Sequence, residues 1–230
     1  MTIAALIFDF DGLIIDTEWP SFEAWRQVFS GYGADLTIDD FTACVGTRGA
    51  IDFGTLLADK LGMAHNDGPA SDAELREVKA PIQLDIVSSL PLLDGVQSLL
   101  TEAAAHNVPC AIASCSERWW IEPHLERLDI ARYFSAISTW DGPHVGFAPK
   151  PEPHVYNNAI TALGVDPSRA IAFEDSTHGL TAAKAAGLRC VAVPNALTAA
   201  LDFSAADAVI ESLAHFSLDQ ARTLVRPSTG

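Results

Sequence analysis

Along most of the chain, short unbroken apolar runs alternate with longer stretches in which apolar residues recur every three or four positions. The runs are Ile3–Phe8, Pro109–Ala113, Phe134–Ser138, Ala170–Phe173, Cys190–Val193 and Ala208–Ile210. They are too short for helices and lack the polar alternation of half-exposed strands, so they read as strands buried on both faces. Helical patterns lie between them over Val96–His106, Glu117–Leu128, Pro153–Leu163 and Thr177–Ala186. Gly187 follows the last of these and suits a helix C-cap. Strands alternating with helices predict an α/β fold, a parallel sheet covered on both faces.

One stretch departs from this rhythm. From Trp19 to Leu84 there are helical patterns and no strong buried strand. Pro20–Tyr32 carries an apolar stripe through Phe22, Trp25 and Phe29. Ile51–Leu61 forms a second pattern, Gly68-Pro69 a loop, and Glu74–Ser89 a third helix. Pro91 to Gly95 returns the chain to alternation. The expected organisation is a catalytic core of residues 1–16 and 85–230, with a small all-helical cap, residues 17–84, inserted after the first strand.

Composition narrows the partners. Acidic residues number 30 against 14 basic, a formal charge of −16, the wrong sign for non-specific nucleic-acid binding. That surface repels anionic substrates at long range, so a phosphate would need a local positive site. The spacings of Cys44, Cys110, Cys115 and Cys190 match no zinc motif, and Cys110 and Cys190 lie in apolar segments as core residues do. The chain enters its first strand with no basic region or cleavage site, and no apolar stretch reaches spanning length. The expectation is a cytoplasmic protein with reduced thiols and no membrane partner, a monomer or small homo-oligomer.

Candidate chemistry gathers where apolar runs end. The first run closes in Asp9-Phe10-Asp11-Gly12. The second is followed by Ser114, and the fourth by Glu174-Asp175-Ser176. A lysine, Lys150, stands in Pro149-Lys150-Pro151-Glu152-Pro153. In open parallel sheets a site forms beyond the carboxyl ends of the strands, so these distant residues can converge there. Each has a plainer explanation. Asp11-Gly12 can be a turn, Ser114 a helix N-cap, Lys150 a solvated loop residue and Glu174-Asp175 a charged corner. Carboxylates at the end of a buried strand are costly unless cations or hydrogen bonds compensate them, and a hard divalent ion takes oxygen ligands. Three or four carboxylates can hold Mg2+. A hydroxyl, backbone amides and a lysine can hold a phosphoryl group.

The set, in this order, resembles the haloacid dehalogenase-like hydrolase superfamily. Its first motif, Asp-x-Asp-Gly, is matched by Asp9 to Gly12. Its second, an apolar strand ending in Ser or Thr, is matched by Ala111-Ile112-Ala113-Ser114. Its third, a lysine, is matched by Lys150. Its fourth, an acidic pair before a glycine-containing helix, is matched by Glu174 to Gly187. The resemblance spans nearly the whole chain and implies a Rossmann-like core. The segment after the first motif is similar to the helical cap of the subgroup with β-phosphoglucomutase and sugar-phosphate phosphatases, and Gly46-Thr47-Arg48 resembles that cap's substrate loop.

The resemblance implies an Mg2+-dependent phosphatase acting on a small phosphorylated metabolite through an aspartyl phosphate. Asp9 is then the nucleophile and Asp11 the general acid and base, with Lys150 balancing charge. Asp9, Glu174, Asp175 and the backbone carbonyl of Asp11 hold the metal. Ser114, Cys115, Ser116 and Lys150 bind phosphate, and Thr47 and Arg48 bind substrate. Two departures bear on the alternative of a phosphosugar mutase: Ser21 stands where the mutases carry a histidine, and Pro149 replaces the usual glycine before the lysine. A receiver-like or inactive phosphate-binding regulator is the non-enzymatic alternative, with the complete motif set against it. Trp119 and Trp120 either face the site or pack. Hexose, polyol, phosphoglycolate and nucleoside monophosphate substrates all fit the sequence.

Overall fold

The computed structural model describes residues 2–47, 49–64, 67–140 and 147–225. Six strands form one parallel sheet: β1 (Ala5–Phe8), β2 (Cys110–Ala113), β3 (Phe134–Ser138), β4 (Ala170–Glu174), β5 (Arg189–Ala192) and β6 (Ala208–Val209), in the order β3-β2-β1-β4-β5-β6. Every predicted strand is present, β3 with the predicted ends and the others with ends displaced by at most two residues. The order reverses direction at β1, which pairs Leu6 with Cys110 on one side and Ala5 with Ala170 on the other. A reversal of this kind opens a crevice at the carboxyl ends of the strands.

The chain between β1 and the next strand carries α1 (Glu18–Gly31), α2 (Ile38–Thr42), α3 (Phe53–Lys60), α4 (Asp72–Val87) and α5 (Val96–Ala105). Then follow α6 (Arg118–Arg127), α7 (His154–Leu163), α8 (Thr177–Ala185) and α9 (Leu218–Leu224). The two faces of the sheet differ because successive strand residues point to opposite sides. Leu6, Phe8, Ile112, Phe173 and Val191 pack against residues of α5, α6 and α9. Ala5, Ala111, Ala113, Ala172 and Ala192 make the other face, and their small side chains seat Val155, Tyr156 and Ala159 of α7 and Ala182 and Ala183 of α8. Gly187, with φ of +82°, follows the Ala186 C-cap of α8, the left-handed position that glycine adopts without a Cβ penalty.

The helices after β1 form a separate apolar cluster, including Phe22, Trp25, Phe29, Phe41, Phe53, Leu57 and Leu75, which Leu197 joins from beyond β5. Trp25 and Phe53 stack at 3.8 Å. α1 begins at Glu18, two residues before the predicted start, because Pro20 fits the first turn, where its missing N–H has no helical partner to lose. α2 and α9 have no counterpart in the sequence pattern. At five and seven residues they are too short to display a period. Their signals are caps: Thr37 and Asp40 form a capping box, and Ser217 accepts from the Gln220 N–H. No helix among the described residues is long and apolar enough to cross a membrane, and all four cysteines are free.

Candidate active site

β1 ends at Phe8, and the ladder carries Asp9 in beside β4: its N–H donates to the Phe173 carbonyl at 3.0 Å. Glu174, the last residue of β4, is fully buried. Between these two carboxylates lies Lys150, itself 1% exposed. Its Nζ reaches Asp9 Oδ1 at 2.9 Å and Glu174 Oε1 at 2.7 Å. Lys150 is thus an internal cation rather than a solvated loop residue. Its loop is tied to the end of β2 by the Lys150 N–H, which donates to Cys115 Sγ at 3.1 Å. Tyr156, on α7, donates its hydroxyl to Glu174 Oε1, and the Phe10 N–H donates to Asp9 Oδ1 at 2.7 Å. Both contacts fix carboxylates that would otherwise turn.

Asp175 follows β4 and is also fully buried. Ligand oxygens of Asp9, Glu174 and Asp175 lie within 4.8 Å of one another. Asp175 Oδ2 accepts from Asn195 Nδ2 at 2.7 Å, whereas buried Oδ1 has no hydrogen-bond partner among the described residues. Three carboxylates against one lysine leave the cluster anionic in a buried setting. A divalent cation would correct both the charge and the orphaned oxygen, so the residues present fit one. Two glycines make room. A Cβ on Gly179 would lie 1.9 Å from the Glu174 carboxyl carbon, and one on Gly12 2.1 Å from Asp175 Oδ2. Gly12 also has φ of +72°.

The electrostatics agree. Burial pushes Asp9 well above the ordinary carboxylate range, Glu174 pushes it further, and Lys150 opposes both. Asp175 is raised by burial and then by Asp9. This is the direction of a site that draws either protons or a cation. Burial works to discharge Lys150, but Asp9 and Glu174 outweigh it and hold the ammonium charged.

Asp11 has other surroundings. Thr17 Oγ1 donates to its Oδ1 at 2.7 Å, Trp120 Nε1 to the same oxygen at 3.0 Å, and Ser116 Oγ to Oδ2 at 2.6 Å. Its side chain is not among the clustered metal-ligating groups. Ser114 is not an N-cap: α6 is preceded by Glu117, and Ser114 Oγ accepts from the Ser116 N–H at 2.9 Å. Its own hydroxyl proton can still donate. Of the two tryptophans, Trp120 turns to the site. Trp119 is 66% exposed and donates to Glu117 at 2.7 Å.

The helices after β1 reach the same place through the loop following α2. Gly46, with φ of +76°, packs so closely on Ser176 that a Cβ there would lie 2.0 Å from its Oγ. Thr47 donates its hydroxyl to the Lys150 carbonyl, and His178 Nδ1 donates to the Val45 carbonyl at 3.1 Å. Arg48 lies outside the described residues. Beside this loop, burial raises Glu18 to about 8, helped by Asp11 and opposed by Lys79. Burial lowers Lys79 to about 8, with Glu18 opposing.

The structure therefore brings together Asp9, Asp11, Ser114, Cys115, Ser116, Lys150, Glu174 and Asp175, with Thr47 against the lysine loop. Sequence reasoning missed Tyr156 and Asn195. Asn195 carried a usable signal, a polar residue just past a buried strand, as at β1, β2 and β4. Tyr156 carried none, since it sits on the apolar stripe of α7.

Known proteins resemble this chain in sequence and in fold. YhcW of Bacillus subtilis is 34% identical over 216 residues, 94% of each chain. Fructose-1-phosphate phosphatase YqaB of Escherichia coli is 35% identical over 191 residues, 83% of this chain and 96% of that one. The crystal structure of CbbY from Rhodobacter sphaeroides in complex with phosphate matches with a TM-score of 0.73 and 28% identity, over 93% of this chain and 96% of that one. The sequence pattern of haloacid dehalogenase-like hydrolases matches residues 6–193, and with these relatives it establishes that the chain belongs to that family.

Proposed function

We propose that the chain is an Mg2+-dependent phosphatase that hydrolyses a small phosphomonoester, a sugar or related metabolite phosphate, through an aspartyl phosphate on Asp9. The observation that carries this reading is the division of labour at the end of β1. Asp9 shares a buried charged cluster with Lys150, Glu174 and Asp175, while Asp11 is held apart by neutral donors. The names of YqaB and CbbY's bound phosphate support it.

Asp9 is oriented by Lys150 and the Phe10 N–H, and it attacks phosphorus in line as a nucleophile. Asp9, Glu174, Asp175 and the Asp11 carbonyl would hold Mg2+, which supplies charge neutralisation between the nucleophile and the phosphate. Ser114, the Cys115 and Ser116 loop and Lys150 bind phosphate oxygens. Asp11 gives its proton to the leaving alkoxide and takes one from the water that hydrolyses the intermediate. Residues 17–84 form a cap whose last helix, α4, runs on to Val87. Thr47 and Arg48 would read the leaving group. Ser21, in place of the mutase histidine, favours release of phosphate to water over its return to a sugar.

The test is phosphate release from a panel of hexose, polyol, phosphoglycolate and nucleoside monophosphate esters. Activity is expected with Mg2+, lost in excess chelator and restored by added Mg2+. Full turnover in chelator overturns the metal's role, and absence of release from every ester overturns the phosphatase reading.

A further inference from the structure

Three donors converge on the Asp11 carboxylate, and they are not equivalent. Thr17 and Ser116 present hydroxyls, which can rotate and accept as well as donate. Trp120 presents an indole N–H, which can only donate. Its contact with Oδ1, at 3.0 Å, therefore has a fixed sense. The ring is also mechanically fixed. It meets Trp119 edge-on at 6.2 Å and His124 edge-on at 5.0 Å, and buried His124 stacks on fully buried Phe10 at 6.2 Å. Phe10 lies between the two aspartates, so a train of packed rings runs from the acid back to the strand end that carries it.

We propose that Trp120 is a positioning residue for the acid–base step, holding the Asp11 carboxyl in one rotamer with its transferable proton on Oδ2. This rests on the phosphatase reading above. Oδ1 accepts from both Thr17 and Trp120, so a proton there would have to displace a donor, and the indole cannot reverse. Oδ2 faces only Ser116 among these donors, and that hydroxyl can turn to accept. In the transfer, the Oδ2–H bond breaks and its electron pair stays on Oδ2. The proton joins the leaving oxygen, which keeps the pair of the broken P–O bond. Without the indole the carboxyl can turn, and the proton is shared between two oxygens of which one faces the leaving group.

Trp120→Phe keeps a packed ring and removes the N–H. The readout is kcat/KM across substituted phenyl phosphates, because proton donation matters most where the leaving group is poor. On phenyl phosphate the variant should lose roughly 10- to 100-fold, the size expected for one hydrogen bond to a charged group. On 2,4-dinitrophenyl phosphate, which departs without a proton, the loss should stay under about threefold. The dependence on leaving-group pKa therefore steepens. Equal losses along the series, or no loss at all, overturn the assignment while leaving the phosphatase reading intact. An inactive wild type overturns both. A second measurement leaves Trp120 in place: in 15N-indole-labelled protein, Asp11→Asn should shift the Trp120 Nε1–H resonance and speed its exchange with solvent. An unmoved resonance overturns the proposal even if Trp120→Phe fails to fold.

Discussion

Asp9 and Asp11 stand two residues apart in the chain and in opposite surroundings. Asp9 lies on the floor of the site, buried among charges, with Lys150 at 2.9 Å and Glu174 and Asp175 alongside. Asp11 lies on the rim, half-buried, and is held by a threonine, a serine and an indole, none of them charged. In the function proposed above, the same side chain is given two tasks. A nucleophile needs its charge stabilised and its direction fixed, which a cation and a rigid ladder provide. A group that must give a proton and take one back needs partners that do not lock one charge state in place. Paired carboxylates with contrasting environments are a recurrent way of assigning such roles.

Substitutions sharpen the contrast in order of expected size. Asp9→Asn should leave the fold intact and lower kcat by at least about 10,000-fold, because loss of the attacking group is expected to cost no less than the upper end of acid–base help, roughly 100- to 10,000-fold. Asp11→Asn should fall within that acid–base range on alkyl esters and less on activated aryl esters. Quenched-flow trapping separates the two: Asp11→Asn still forms a phosphoenzyme from an activated ester, and Asp9→Asn forms none. Near-normal turnover by Asp9→Asn would erase the distinction.

Gly179→Ala tests the floor alone. The new Cβ, 1.9 Å from the Glu174 carboxyl carbon, must displace that side chain from its place beside Asp9 and Asp175. The Mg2+ concentration for half-maximal activity should rise roughly 10- to 100-fold, the usual scale for disturbing the support of a metal ligand. An unchanged Mg2+ titration would mean that Glu174 does not take part in binding the ion.

The last test lies on the rim, at Glu18, and reads stability rather than turnover. Its carboxyl is raised from 4.5 to about 8 by burial, with Asp11 adding and Lys79 opposing. The folded state therefore keeps a proton that the unfolded chain has already released, and stability falls as pH rises through the interval from 4.5 to about 8. Glu18→Gln should make this decline shallower, the remainder coming from Asp9 and Asp175, which burial raises in the same direction. Thermal denaturation across that interval in the absence of substrate measures it, and parallel curves for wild type and variant would place Glu18's charge in solvent.

Much of this was legible in the sequence because strand ends are legible. An apolar run that stops at Asp9, Ser114 or Glu174 announces both a buried strand and the point where it reaches the crevice. The parallel sheet, helices on both faces and the helical stretch after β1 followed from periodicity, which depends only on local order along the chain. α2 and α9 fell below that threshold. At five and seven residues they are too short for a period, and their caps rather than their faces define them.

What only the tertiary structure decided is which side chains meet. Tyr156 reads as another apolar position on α7 until the helix is docked, when its hydroxyl meets a carboxylate 18 residues away. Trp119 and Trp120 are indistinguishable in sequence. Adjacent helical residues point about 100° apart, and the seating of α6 on the sheet turns Trp120 onto Asp11 and leaves Trp119 66% exposed. The sequence by itself determined the elements and the chemistry at their ends, because those are set by local composition. The partners of Asp9 and Asp11 were set by strand register and helix rotation, which arise from packing across the whole core and leave no local trace.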